Sequence, residues 1–322
     1  MIQCSLRAVD GIPKVTTNTL SRYRTQPWQT AICLFVLAYL VLGVMTSSIR
    51  AYHWFLLLSI PGALFSAERG RRFFLDWSPF FAFWLVYDRL RLVQPLLFSR
   101  VAVRVPFLIE RDLFGWMSNG DVPAHAFQTW LTTRGGSLPA MTEWTAQLIY
   151  FSHLFVVPIV AVVIWSLGWT GSEYRDSFAR YVRAFAILNF GAIVLYLILP
   201  VAPPWWLTLN GLSQPTASLV ATTDVAPAMH GIVIQAMIRN ASQWFAAIPS
   251  LHGAYPVLLL MLGWPHRTRL AVVLLIIYGV LMWAATVALN QHYIIDLLAG
   301  AVLSVIAGAF VKVRTRSSQA PN

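Results

Sequence analysis

Apolar residues in this chain come in long blocks rather than in alternation, and the blocks set the architecture. Eight stand out, near residues 31–49, 51–67, 73–87, 147–167, 181–199, 244–264, 270–289 and 293–311. A helix needs about 20 predominantly apolar residues to cross the hydrocarbon core of a bilayer. The block LAVVLLIIYGVLMWAATVAL (270–289) carries no charge, and 147–167 carries only His153, so both meet that requirement. The block 73–87 is short and holds Asp76, which leaves seven spans as the alternative count. The block 244–264 contains Pro249 and Pro256, which exclude one regular helix. Irregular backbone at membrane depth survives only where protein or a polar cavity surrounds it, so a site is expected there. The pattern predicts an all-α, polytopic membrane helical bundle of about eight transmembrane helices. A polar leader (1–28) precedes N-terminal transmembrane helices (29–92), an outer-side connection (93–146), a transmembrane core (147–311) and a basic tail (312–322).

Composition agrees. Hydrophobic residues make up 58% of the 322 and charged residues only 11%, against about 25% charged in soluble domains. The formal charge of +11 comes almost wholly from arginine. These arginines sit between apolar blocks, as topology signals do, so nucleic acid is not an expected partner. Arg7, Lys14, Arg22 and Arg24 place the amino terminus in the cytoplasm. With eight spans, Arg69, Arg71, Arg72, Arg175, Arg180, Arg267, Arg269, Lys312, Arg314 and Arg316 all fall on the same side, so both termini are expected inside. The connection 88–146 breaks the pattern, with Arg89, Arg91, Arg100, Arg104, Arg111 and Arg134. Only Cys4 and Cys33 are present, which gives no disulfide or metal framework. No small-x-small cleavage site follows the first apolar block, so it reads as retained rather than as a signal peptide. Gly300, Ser304 and Gly308 form a small-residue stripe that lets another helix approach closely.

Under this topology three polar clusters reach one membrane face. PVAPPWW (200–206) ends the fifth span, PSLH (249–252) opens the sixth, and NQHYIID (290–296) opens the eighth. His153 lies roughly 10 Å inside the fourth span from the same face. His292 and Asp296, four residues apart, share a helix face. An aspartate in a span costs up to about 3 kcal/mol and marks a functional site. Three other chemistries deserve comparison. Ser250 lacks a Gly-x-Ser-x-Gly elbow and its strand-turn-helix setting, which argues against a serine hydrolase. Haem ligation gives Asp296 no role. Zinc on His252, His292 and Asp296 stays chemically open. Trp144, Trp169, Trp205, Trp206 and Trp264 fit interfacial anchoring, and Trp205 and Trp206 also suit the lining of a lipid access path. Asn189, Asp76 and Glu110 read as structural or topological.

PSLH followed forty residues later by HYIIDLLAG resembles the second and third motifs of the type-2 phosphatidic acid phosphatase superfamily. YLILPVAPPWW (196–206), FAAIPSLHGAYP (245–256) and TVALNQHYIIDLLAG (286–300) are similar to its inositolphosphotransferase (inositol phosphorylceramide synthase-like) branch. YFSHLFVVP (150–158) and the run from Glu110 to Gln128 are weaker likenesses. The resemblance implies that His292 is the phosphate nucleophile, Asp296 its orienting carboxylate and His252 the acid for the leaving group. It implies transfer of a phosphoinositol-like headgroup from a lipid donor to a lipid hydroxyl through phosphohistidine, without metal or organic cofactor, at the outer or lumenal face. His153, Ser250, Arg239, Trp205 and Trp206 are the expected substrate contacts. The chain departs from the superfamily's pattern in having Thr286 where the last motif has arginine, and in lacking the Lys/Arg-bearing first motif. That loss shifts the expectation from phosphatase to transferase. A water-using lipid or polyprenyl-phosphate phosphatase is the alternative, and a non-catalytic scaffold or transporter a further one.

Overall fold

A computed structural model describes residues 27–45, 67–133, 137–224, 232–239, 241, 243–262 and 267–317. The leader before Pro27, most of the block 51–67, Arg134, Trp264 and the end of the tail lie outside the described residues. The chain divides into two compact units, Met1–Trp77 and Ser78–Asn322. In the first, helix α1 (Pro27–Met45) carries the first apolar block, and Trp28 meets Phe74 edge-on at 5.8 Å. Helix α2 (Ala67–Leu97) begins in this unit. The block 73–87 is thus the middle of a 31-residue helix, longer than the sequence pattern suggested. Arg69, Arg71, Arg72, Asp88, Arg89 and Arg91 flank the apolar stretch, and Pro79 and Pro95 lie within the helix, which is why an apolar window caught only its centre.

The second unit is also helical. The connection 93–146 is built of short helices, α3 (Arg104–Phe114) and α4 (Pro123–Thr133), rather than an open loop. The long helices α5 (Ser137–Leu167) and α6 (Ser172–Ile198) follow, with the short α7 (Pro204–Asn210), α8 (Ala217–Thr222) and α9 (Ile232–Arg239) after them. Helices α10 (Leu251–Leu262), α11 (Arg269–Ala288) and α12 (Ile294–Ser317) complete the core. Four stretches are long and apolar enough to cross a membrane: Ala140–Leu167, Ser172–Ile198, Arg269–Ala288 and Ile294–Lys312. With them the chain is an integral membrane protein. Four is the count among the described residues, against the eight expected. The block 244–264 contributes only the 12-residue α10, because residues 243–250 are not helical, as its prolines required. Pro256 lies inside α10, where it frees the carbonyl of His252 from the helical ladder.

Two contacts position everything that follows. Val201 forms isolated parallel bridges with Ala102 and Ala246, tying the segments before α3, α7 and α10 into one platform. Helices α10 and α12 run side by side in the same direction, with Gly253 against Leu297 and Gly308 against Met261. Ser304 Oγ donates to the Ala254 carbonyl at 2.7 Å. A Cβ on Gly253 would sit 2.6 Å from Leu297 Cα, and one on Gly300 would overlap the Ser250 carbonyl oxygen. Both obstacles are backbone and cannot rotate away. Gly300→Ala is therefore expected to cost about 1–3 kcal/mol or more through overpacking, read as a lower thermal midpoint in detergent. A midpoint equal to wild type would show that the helices do not touch there.

Candidate active site

Each of the candidate side chains His252, His292 and Asp296 owes its place to a helix start. The Ser250 amide donates to the Asp296 carbonyl at 2.9 Å, which fastens the PSLH segment to the first turn of α12. His252 then falls in the first turn of α10. Asn290, at φ +59°, turns the chain after α11 and brings His292 to the head of α12. Left-handed backbone of this kind suits asparagine better than most residues. The turn is held from outside. The Trp205 amide donates to the Asn290 carbonyl at 3.1 Å, and the Gln128 side chain donates to the Ala288 carbonyl at 2.6 Å.

The three groups form a series. Nδ1 of His252 lies 3.2 Å from Nε2 of His292. Nδ1 of His292 lies 3.2 Å from Oδ2 of Asp296. A carboxylate only accepts, so the network assigns the proton to His292 Nδ1 and leaves the Nε2 lone pair facing His252. Asp296 is fully buried and also accepts the Tyr293 amide at 2.9 Å on the same oxygen. Nε2 of His252 and Oδ1 of Asp296 are buried without a hydrogen-bond partner among the described residues. The groups run in line rather than around a centre, and among the described residues no cluster of His, Cys, Asp or Glu is arranged to hold a metal ion.

Helix α5 supplies the wall behind His252. The Tyr150 ring stacks on the His252 ring at 4.4 Å between centroids, 21° from parallel. His153 meets the same ring edge-on at 4.2 Å and donates Nδ1–H to the Tyr150 carbonyl. His153 therefore touches the site. Tyr150 was not foreseen, although it stands three residues before His153 in the YFSH run. Glu110, expected to be structural or topological, holds the start of α12. Its carboxylate is fully buried and accepts the Ile294 and Ile295 amides at 2.9 and 3.1 Å. Burial pushes its pKa above the ordinary carboxylate range, against the pull of those amides and with the charge of Asp296 adding to the rise.

The remaining expected contacts are placed differently. Ser250 is buried, and its Oγ accepts the Gly253 amide at 3.4 Å. Arg239 forms an exposed ion pair with Asp224 at 3.1 Å, and Arg111 pairs with Asp112 at 3.1 Å. Neither pair includes His252, His292 or Asp296. Trp205 and Trp206 are 3% and 0% exposed, in a core cluster with Phe98, Tyr150 and Phe245. That burial corrects the interfacial-anchor reading of these two, because a ring with no outward surface cannot sit in a headgroup layer. Trp144 and Trp169 keep large exposed faces.

The sequence profile described as the PAP2 superfamily matches residues 123–310, more than half of the chain and all three members of the series. The chain belongs to the PAP2 superfamily. It is an enzyme of that superfamily, and the curated relatives it resembles are named as synthases of inositol-containing sphingolipids. The phosphoinositol dihydroceramide synthase of Bacteroides thetaiotaomicron is 26% identical over 289 residues, covering 87% of this chain and 90% of that protein. The inositol phosphorylceramide synthase of Candida albicans is 27% identical over 248 residues, covering 76% of this chain. The matched stretch is about half (49%) of the Candida protein's length. The catalytic subunit of inositol phosphorylceramide synthase from Saccharomyces cerevisiae is 27% identical over 129 residues, 39% of this chain and 32% of that protein. No solved structure matches the chain.

Proposed function

We propose that this PAP2 enzyme moves a phosphoinositol group from a membrane lipid to the hydroxyl of a ceramide-type lipid, through a phosphohistidine on His292. The observation that carries the reading is the hydrogen-bonded series His252–His292–Asp296 at 3.2 Å per link. The names of the bacterial and fungal relatives support phosphoinositol as the group and a ceramide as its acceptor.

In the first step the Nε2 lone pair of His292 attacks phosphorus and the bond from phosphorus to the donor lipid's oxygen breaks. His252, protonated, gives its proton to that oxygen. Asp296 holds the Nδ1 proton of His292 and balances the positive charge on its ring. In the second step neutral His252 takes the proton from the acceptor hydroxyl. The acceptor oxygen bonds to phosphorus, the phosphorus–nitrogen bond breaks, and both histidines return to their starting state. Developing charge on the non-bridging oxygens needs positive groups. The start of α10, where His252 sits, offers the positive end of a helix.

The resting contact between the histidines is too short for the reaction. A phosphorus about 3–3.5 Å from the nucleophile, with its leaving oxygen about 3 Å from the acid, needs the two nitrogens roughly 7 Å apart. Substrate binding therefore opens the His252–His292 contact. The arginine distribution supports cytoplasmic termini and a site at the outer or lumenal face. Both histidines lie at the starts of parallel helices, which fits delivery from one face.

Purified protein in lipid vesicles, given inositol-labelled phosphatidylinositol and ceramide, is expected to produce a labelled ceramide phosphodiester. Release of inositol phosphate with the acceptor unmodified would replace transfer by hydrolysis. No turnover with any phospholipid would favour a scaffold.

A further inference from the structure

The three-residue series leaves one buried carboxylate of this region without a part in the chemistry. Glu110 belongs to α3, 184 residues before Ile294. Helix α3 is two-faced. Val105, Ile109 and Leu113 recur every four residues and are exposed, whereas Pro106 and Glu110 are buried. The buried face brings the carboxylate to the start of α12. A helix leaves its first amides without partners inside the helix. In α12 the first two, Ile294 and Ile295, go one to each oxygen of Glu110, at 2.9 and 3.1 Å. The Tyr293 amide, just ahead, goes to Oδ2 of Asp296, the oxygen that also receives Nδ1–H of His292. Two carboxylates thus share one helix start. Asp296 faces the histidine, and Glu110 fixes the backbone from which Asp296 projects.

We propose that Glu110 is a positioning residue for the reaction: by binding the first two amides of α12 it sets the angle at which Asp296 presents its oxygen to His292. This rests on the reading of His292 as nucleophile. A carboxylate suits the task for two reasons. It offers two acceptor oxygens side by side, matching two successive amides. Its negative charge is also favoured at the positive end of a helix. Glutamine keeps the volume but turns one acceptor into a donor that opposes an amide N–H. Gln128, donating to the Ala288 carbonyl at 2.6 Å, grips the other side of the same turn, so the segment bearing His292 is held at both ends by the connection that precedes α5.

The test compares full-length wild type, Glu110→Gln, Asp296→Asn and the double variant in detergent and lipid. A misplaced reacting group costs up to about a hundredfold, so Glu110→Gln is expected to lower kcat about 10–100-fold while KM for phosphatidylinositol stays within about twofold. On the Asp296→Asn background the same change is expected to alter residual kcat by less than about threefold, because the partner through which it acts is already disabled. Hydrogen exchange read by mass spectrometry on the peptide holding residues 293–296 is expected to speed up in Glu110→Gln, with no substrate present. If the glutamine variant does not accumulate, Glu110→Asp keeps both oxygens on a shorter arm and is expected to change kcat and exchange in the same direction. Wild-type kcat per folded molecule in Glu110→Gln would overturn the proposal. So would an undiminished loss on the Asp296→Asn background, or unchanged exchange at 293–296. Should wild type turn over no lipid donor, the phosphoinositol reading fails by itself, and the exchange measurement still decides the role of Glu110.

Discussion

His292→Ala is expected to lose lipid transfer on the order of a million-fold, the scale seen when an enzyme's covalent nucleophile is removed. The reason is geometric. On His292, Nδ1 is committed to Asp296 at 3.2 Å, which leaves the Nε2 lone pair as the nucleophile of a ring whose positive charge the carboxylate can balance. His153 has no carboxylate behind it to balance a charged ring, since its Nδ1 donates to the Tyr150 carbonyl, and Ser250 is buried with its Oγ on the Gly253 amide. An alkaline detergent quench of wild type during turnover with headgroup-labelled donor should find label on the protein that survives base and is lost on later exposure to acid. The alanine variant should carry none. Label retained by the variant at the wild-type level would remove His292 from the nucleophile's role.

Asp296→Asn is expected to lower kcat about ten-thousand-fold with little change in fold, as when an orienting carboxylate is neutralised behind a catalytic histidine. An asparagine amide facing Nδ1 of His292 donates instead of accepting. The ring then carries its proton on Nε2, the atom that must attack. The substitution also removes the negative charge that balances the ring once phosphorus is bound. Single-turnover kinetics should place the loss in formation of the labelled enzyme and not in binding of the donor. A kcat within tenfold of wild type would mean that Asp296 serves only to cap α12 through the Tyr293 amide at 2.9 Å.

The site was more legible in the sequence than the spans were. His252, His292 and Asp296 announce themselves because polar groups are rare in apolar blocks, and because two of them stand four residues apart, His292 just ahead of α12 and Asp296 in its first turn. The structure adds the step that spacing could not give, the direct contact between rings forty residues apart. Glu110 left no comparable signal. A single carboxylate in an arginine-rich, amphipathic stretch looks like a solvated surface residue, and its partners are backbone amides, which no side-chain pattern encodes. Tyr150 was hidden for the opposite reason, as an aromatic residue in an apolar block full of them. The spans are harder to read where charge and proline interrupt hydrophobicity. Helix α2 carries its arginines beyond the apolar window at both ends, with Asp76 inside it, and α10 starts only at Leu251 because Pro249 precedes it. Trp205 and Trp206 follow two prolines, a context that suggests exposure, yet the bridges at Val201 fold that segment inward.

The glycine seam between α10 and α12 has a bearing on how this enzyme can change its choice of lipid. At Gly253 and Gly300, the end of the seam nearest the histidines, backbone lies directly on backbone, so no side chain there can be enlarged or trimmed to reshape the space around phosphorus. Variation that alters acceptor preference is thus expected outside those two positions, with α5, whose Tyr150 and His153 rings meet His252, the first place to look. A library randomised along the seam should yield mostly unfolded protein, and one randomised along α5 should yield folded enzymes with shifted preference.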